Sequence, residues 1–225
     1  MDENKSFRNW KAQEVEEIFG LKRVYESASL RKWLSTEQIF DELTLTTAER
    51  LRQELLRNVD AWNEAALKFF FIGPFVGLIG FNAETYSGFL EQTLTVEQDG
   101  IVARGNVDFM VANGREIARA PFYVLHEYKS EPYALDPKGQ LLVGMVAAQR
   151  YNQAQNHDIP IFGSYVFGRY WFFVLLHGNS YIISKGYDAT ERDDNLQMLA
   201  ILRTVKFYID TDFSEFQTNK PITEA

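Results

Sequence analysis

Gly105-Asn-Val-Asp108 and His126-Glu-Tyr-Lys129 are the stretches that decide the reading of this chain, and each lies inside a segment of period two. Val102-Ala-Arg-Gly-Asn-Val-Asp-Phe-Met-Val111 and Phe122-Tyr-Val-Leu-His-Glu-Tyr-Lys129 alternate as half-buried strands do, and Leu90-Glu-Gln-Thr-Leu-Thr-Val-Glu97 precedes them in the same rhythm. Asp99-Gly100 and Asn113-Gly114 supply turn residues between them, so an antiparallel meander is predicted. Side chains two apart on a strand share a face, which puts Glu127 beside Lys129, with Tyr123 and Leu125, and turns His126 and Tyr128 away. Asp108 is expected between Val107 and Phe109, both facing away from it. If the two strands pair, two carboxylates and an ammonium meet at one end of a sheet.

Outward from this centre the periodicity lengthens. Charged and apolar residues of the first eighty positions follow helical spacing, with box-like starts at Ser35-Thr-Glu-Gln38 and Thr46-Thr-Ala-Glu49. Leu51, Leu55, Val59 and Trp62 mark one buried face of a helix expected to run to about Leu67. The apolar run Phe69 to Phe81 is interrupted by Gly73, Pro74, Gly77 and Gly80 and is short of the ~20 residues of a membrane span, so a buried helix with a turn is expected. Beyond Lys129, Asp136-Pro137 reads as N-cap and first-turn proline of a helix to about Asn152. Aromatic strands at 159–167 and 170–176, a third at 181–184 and a last helix over 190–209 follow. The expected organisation is one domain over residues 1–210, made of a helical N-terminal extension (1–45) and a core (46–210), with a polar, loosely held tail over 211–225.

Composition narrows the chemistry. The chain has no cysteine, which excludes disulfides and thiolate zinc, and any metal must take oxygen or nitrogen ligands. No phosphate loop, His-Glu-x-x-His pair or Gly-x-Ser-x-Gly elbow is present. The opening residues carry no secretory pattern, and a cytoplasmic protein without a membrane partner is expected. A net charge of −8 argues against a general nucleic-acid coat, because nonspecific affinity comes mostly from Lys and Arg on phosphates. His126, His157 and His177 read as structural, and the aromatic run Tyr165 to Phe173 as core strands.

Two adjacent carboxylates raise one another's pKa unless a cation offsets them. A set of hard oxygens favours Mg2+ or Mn2+, which would activate a water for phosphodiester hydrolysis while Lys129 orients it or steadies developing charge.

The residues also resemble a known group. Gly105-Asn-Val-Asp108 followed by His126-Glu-Tyr-Lys129 is similar to the G-x-V-D and E-x-K elements of the PD-(D/E)xK nuclease superfamily. The resemblance implies an α/β, restriction-endonuclease-like mixed sheet flanked by helices, with Asp108 and Glu127 as metal ligands and Lys129 as the catalytic lysine. It further implies Glu64, in Trp62-Asn-Glu64, as a third acid and metal ligand, and Gln140 as the site glutamine of the following helix. The wider chain, including Phe19-Gly-Leu-Lys-Arg23, Asp136 to Gln149 and Ser184-Lys-Gly-Tyr-Asp188, is similar to uncharacterised bacterial members. Gly144, four residues after Gln140, stands where the exonuclease branch often has tyrosine, and no Pro-Asp pair precedes the site. The expected function is a Mg2+- or Mn2+-dependent nuclease acting on nucleic acid, DNA in the first place, with a homodimer as the family habit. The alternative is a nuclease-fold module that no longer cuts and serves in binding or assembly.

Overall fold

Asp99 and Gly100 both adopt positive φ, +51° and +79°, the geometry a two-residue hairpin turn requires. They join β3 (Tyr86–Gln98) to β4 (Ile101–Asn113) in antiparallel register from Gln98 opposite Ile101 to Tyr86 opposite Asn113, with Glu91 and Asp108 left out of the pairing. β4 then pairs with β5 (Arg119–Lys129), completing the expected meander. The computed structural model describes residues 3–129, 136–214 and 216.

Around this meander the described residues form one mixed eight-stranded sheet. The other strands are β1 (Glu3–Ser6), β2 (Lys22–Arg23), β6 (Ile161–Phe167), β7 (Tyr170–His177) and β8 (Ser180–Asp188). Their order is β1-β4-β5-β6-β7-β8-β2, with β3 on the remaining side of β4. β1 and β5 thus share one edge of β4, β1 against Ile101 to Arg104 and β5 against Phe109 to Asn113. β6 is parallel to β5, as a helical crossover requires, and α6 (Pro137–Ala154) provides it. Asp136 caps α6, accepting from the Lys138 amide at 3.1 Å.

Helices cover both faces. α1 (Ala12–Phe19) and α6 pack on one face around Phe7, Trp10, Leu142, Met145 and Leu125. On the other face α2 (Ala28–Leu34), α3 (Glu42–Asn58), α5 (Gly73–Gly77) and α7 (Arg192–Asp210) enclose Trp33, Leu55, Phe75, Phe162 and Leu202. The aromatic strands lie in this core as expected, with Trp171, Phe173 and Val166 fully buried. Among the described residues no helix is long and apolar enough to cross a membrane.

Several expectations are corrected. Residues 1–45 are not a helical extension, since β1 and β2 enter the sheet as parallel strands. Phe7 seats itself against Gly105, where an added Cβ would lie 2.4 Å from that ring's own Cβ, so Gly105 is a packing requirement. No helix starts at Ser35, which ends α2, and α3 begins a turn before Thr46 because Asp41 accepts from the Thr44 amide at 2.9 Å. Glu49, read as a box partner, instead holds Arg52 at 2.7 Å. α3 stops at Asn58 rather than Leu67, and Asn63 caps a separate short helix, α4 (Glu64–Leu67), by accepting from the Ala66 amide. The run from Phe69 is helical and ends in a turn, as expected, but only one face is buried: a π turn over Lys68–Ile72 leads into α5, leaving Phe69 and Phe70 exposed while Phe71, Ile72 and Phe75 are buried. In the expected polar tail, Phe213 and Phe216 pack against Phe162 and Tyr208; the remainder, residues 215 and 217–225, lies outside the described residues.

Candidate active site

β4 and β5 pair regularly through Met110 with Leu125 and Phe109 with His126. One residue further Asp108 and Glu127 stand opposite each other, and the backbone ladder stops. Asp108 replaces it: its Oδ2 accepts from the Tyr128 amide at 2.8 Å, so a side chain satisfies the donor that the splaying strands leave free. On the other edge of β4 the register holds at Leu90 with Phe109 and at Gln92 with Val107, which places Glu91 across from Asp108 outside the regular pairing. Glu91 has φ +50°, in the left-handed region.

The face presented by both strands changes at this step. Phe89, Met110 and Ala112 belong to the core under α6, and so do Leu94, Val96, Ala103 and Val107, whose positions have the opposite parity. Strict alternation would have turned Val107 and Phe109 the same way, but Val107 lies under α6 and Phe109 packs on the opposite face. A similar break moves Tyr123 off the face of Leu125, because β4 and β5 shift register beyond Val111. Asp108 therefore sits where the ribbon turns over, with its carboxylate in the opening between strands.

Five charged groups meet there. Lys129 Nζ lies 2.6 Å from Glu127 Oε1, donates to the Tyr128 carbonyl at 2.9 Å and approaches Glu64 Oε2 at 3.7 Å. Lys68 Nζ bridges Glu64 Oε1 and Asp108 Oδ1, each at 2.8 Å. Glu64 opens α4, and Lys68 is one turn further on, the spacing that places them side by side. Three carboxylates thus share two ammonium groups. Glu127 is the most enclosed, its side chain 2% exposed, and its pKa is pushed up to about 8 by burial and then by the charge of Asp108, with Lys129 offsetting part of the rise. Burial pulls the Lys68 ammonium down, but hydrogen bonds to Asp108 and Glu64 hold its pKa above the ordinary value. The Tyr128 phenol is driven upward by burial and by Asp108 and Glu127.

Of the sequence-derived site residues, Asp108, Glu127, Lys129 and Glu64 come together. Gln140 does not reach them by any described contact: it is buried in the first turn of α6, and its Oε1 has no partner among the described residues. Lys68 and Glu91 were missed. The Glu64-to-Lys68 spacing was a readable signal, whereas nothing local marks Glu91. Among the described residues no three His, Cys, Asp or Glu side chains gather closely enough to hold a metal by themselves. The donors gathered here are carboxylate oxygens, the type a hard divalent ion takes; Glu127 is incompletely compensated, while Lys68 already supplies a positive charge between Asp108 and Glu64.

The cluster opens onto a cleft of about 640 Å3 between the π turn with α5 and the β3–β4 ribbon; Lys68, Asp108 and Glu91 are part of its wall. The chain matches no family model, and no curated protein matches it in sequence. A functional reading therefore stands on the geometry and the motif residues.

Proposed function

We propose that the protein is a Mg2+- or Mn2+-dependent nuclease of the PD-(D/E)xK type, with a restriction-endonuclease-like sheet, that hydrolyses phosphodiester bonds, in DNA first of all. The observation that carries this reading is the convergence of Asp108, Glu127 and Lys129 at the splayed end of β4 and β5, with Glu127 destabilised as a carboxylate and raised to about 8. Asp108 and Glu127 would hold the metal, which when bound supplies Lewis-acid activation of water and charge compensation at the phosphate. Lys129, fixed by Glu127 and the Tyr128 carbonyl, keeps an ammonium proton directed into the cluster, where it can hydrogen-bond a water or a developing phosphorane oxygen. Glu64 and Lys68 hold Asp108 and Lys129 in position through one shared chain of ion pairs. A homodimer would present two such sites to two strands, and a cytoplasmic setting suits a cysteine-free nuclease.

One observation favours a second reading, a nuclease-fold binding or assembly module without catalysis: the Lys68 ammonium already lies between Asp108 and Glu64 and supplies the positive charge a divalent ion would bring to them. Incubating the purified protein with single- and double-stranded DNA and RNA, with Mn2+, Mg2+ or chelator, separates the two. Nuclease activity is expected to require the metal and to fall at least about a hundredfold in Lys129→Met. Chelator-resistant cleavage, or full activity in that variant, removes the mechanism. Absence of both cleavage and carboxylate-dependent Mn2+ binding by calorimetry supports the second reading.

A further inference from the structure

The cleft beside the acids has a character the acids do not explain. Apart from Lys68, Asp108 and Glu91, its walls are largely apolar, with Phe69, Phe109 and Tyr128 as aromatic elements, and its volume falls within the roughly 300–1,000 Å3 of small-molecule sites. Two of its lining residues are exposed apolar side chains, Phe69 at 75% and Leu90 at 69%, and Phe70, next to Phe69 in the chain, is 50% exposed. Phe70 stacks on Trp62 at 5.6 Å and meets Phe69 edge-on at 5.1 Å, so the rings form an ordered platform rather than isolated side chains. The π turn directs Phe69 and Phe70 outward while their neighbours Phe71 and Ile72 fill the core, so burial does not account for them.

Continuity with the charged cluster selects the occupant. Whatever fills the cleft ends against Asp108 and Lys68, which belong to both. A second protein surface lodged there would seal off the acids. A polynucleotide would bring a phosphate to them and place a base on the rings. With a net charge of −8 the chain has little electrostatic affinity to offer a duplex, so stacking would have to supply the binding. We propose that the cleft receives the base of an unpaired nucleotide, with Phe69 as its stacking platform, and that the substrate is single-stranded nucleic acid. The placement of the phosphate rests on the nuclease reading; the binding of the base is measurable without it.

Fluorescence anisotropy in chelator, where no cleavage occurs, tests the proposal with labelled oligo(dT) and a blunt DNA duplex against wild-type protein, Phe69→Ala, Phe69→Leu and Phe69→Trp. Oligo(dT) is expected to bind at least about tenfold more tightly than the duplex, Phe69→Ala and Phe69→Leu to lose roughly tenfold, and Phe69→Trp to retain wild-type affinity. Phe69 is mostly exposed, so these variants keep the fold. Equal affinity for duplex and single strand, or unchanged binding by Phe69→Ala, overturns the proposal. So does sedimentation showing that Phe69→Ala turns a dimer into a monomer while oligo(dT) binding persists, because the rings then form a contact between copies. Ring-dependent oligo(dT) binding without any metal-dependent cleavage supports the base cleft and removes the nuclease reading. Metal-dependent cleavage of duplex and single strand at equal rates, indifferent to Phe69, does the reverse.

Discussion

His126 and Glu127 are adjacent on β5, about equally buried and on opposite faces of the sheet, and burial acts on them in opposite directions. The His126 imidazole is driven down to about 3 and the Glu127 carboxyl up to about 8. Among the described residues His126 meets Ser164 and the rings of Phe109, Tyr128 and Trp171, and burial makes neutrality its cheapest state. Glu127 meets Lys129 and Asp108 and borders an opening, so it is held between protonation and pairing with a cation. The same desolvation makes one residue a structural element and the other a site. Neighbours and access decide, not depth.

The largest expected effect breaks the comparison on the Glu127 side. Asp108→Asn keeps an acceptor for the Tyr128 amide but removes the charge facing Glu127, and metal-dependent cleavage is expected to fall at least about a hundredfold while circular dichroism stays unchanged. On the other face, His126→Ala opens a cavity and leaves Ser164 without its partner. Its expected cost is about 2–4 kcal/mol in urea denaturation with Mn2+ affinity preserved. Equal losses of metal binding in both variants would mean that the two faces are not separate.

The pH dependence of stability sharpens the contrast further. Glu127 has a raised folded-state pKa, so its contribution is fully present below the unfolded value near 4.5 and is lost as pH rises through about 8. His126 has a depressed one, so its contribution is present above about 6.5 and lost as pH falls toward 3. Between about 4.5 and 6.5 the two slopes oppose each other; above that window only Glu127 acts. In chelator, Glu127→Gln is therefore expected to gain stability over wild-type protein on going from pH 6 to pH 9, by roughly 2–4 kcal/mol, in denaturation midpoints. No relative gain would mean that Lys129 compensates Glu127 fully.

What the sequence disclosed follows the range of the forces involved. Strands β3, β4 and β5 carried a period of two over enough residues to be read, and Asp99-Gly100 and Asp136-Pro137 are local chemical signals, so the meander and α6 were legible. β1 and β2 are four and two residues long, too short for any period to declare itself, and they join the sheet through distant partners. The start of α3 was misread because two capping signals compete and Asp41 precedes Thr46. The grouping of Asp108, Glu127 and Lys129 was legible since it needs only strand pairing. The overturned ribbon at Asp108 was not, because the left-handed residue that accompanies it is a glutamate, Glu91, where sequence reading looks for glycine or asparagine.

That residue yields the smallest and most local prediction. A non-glycine side chain in the left-handed region costs about 1–2 kcal/mol, and such a conformation persists only where its surroundings impose it. Glu91 lies across from Asp108, its neighbours Leu90 and Gln92 keep their pairing with Phe109 and Val107, and the buried face changes at this step. If the surroundings impose the kink, Glu91→Gly should stabilise the protein by about 0.5–1 kcal/mol and leave Mn2+ affinity intact, because glycine adopts the same backbone without the Cβ clash. Glu91→Val, whose branched side chain resists positive φ, should lose about 1 kcal/mol or more and weaken Mn2+ binding as Asp108 is drawn back toward regular alternation. A valine variant that matches wild-type protein in both measurements would show that the turn-over is set by β5 and Lys68 instead, with Glu91 following. Stability and metal affinity that fall together only in the valine variant would make this one backbone angle the device that delivers Asp108 to Glu127.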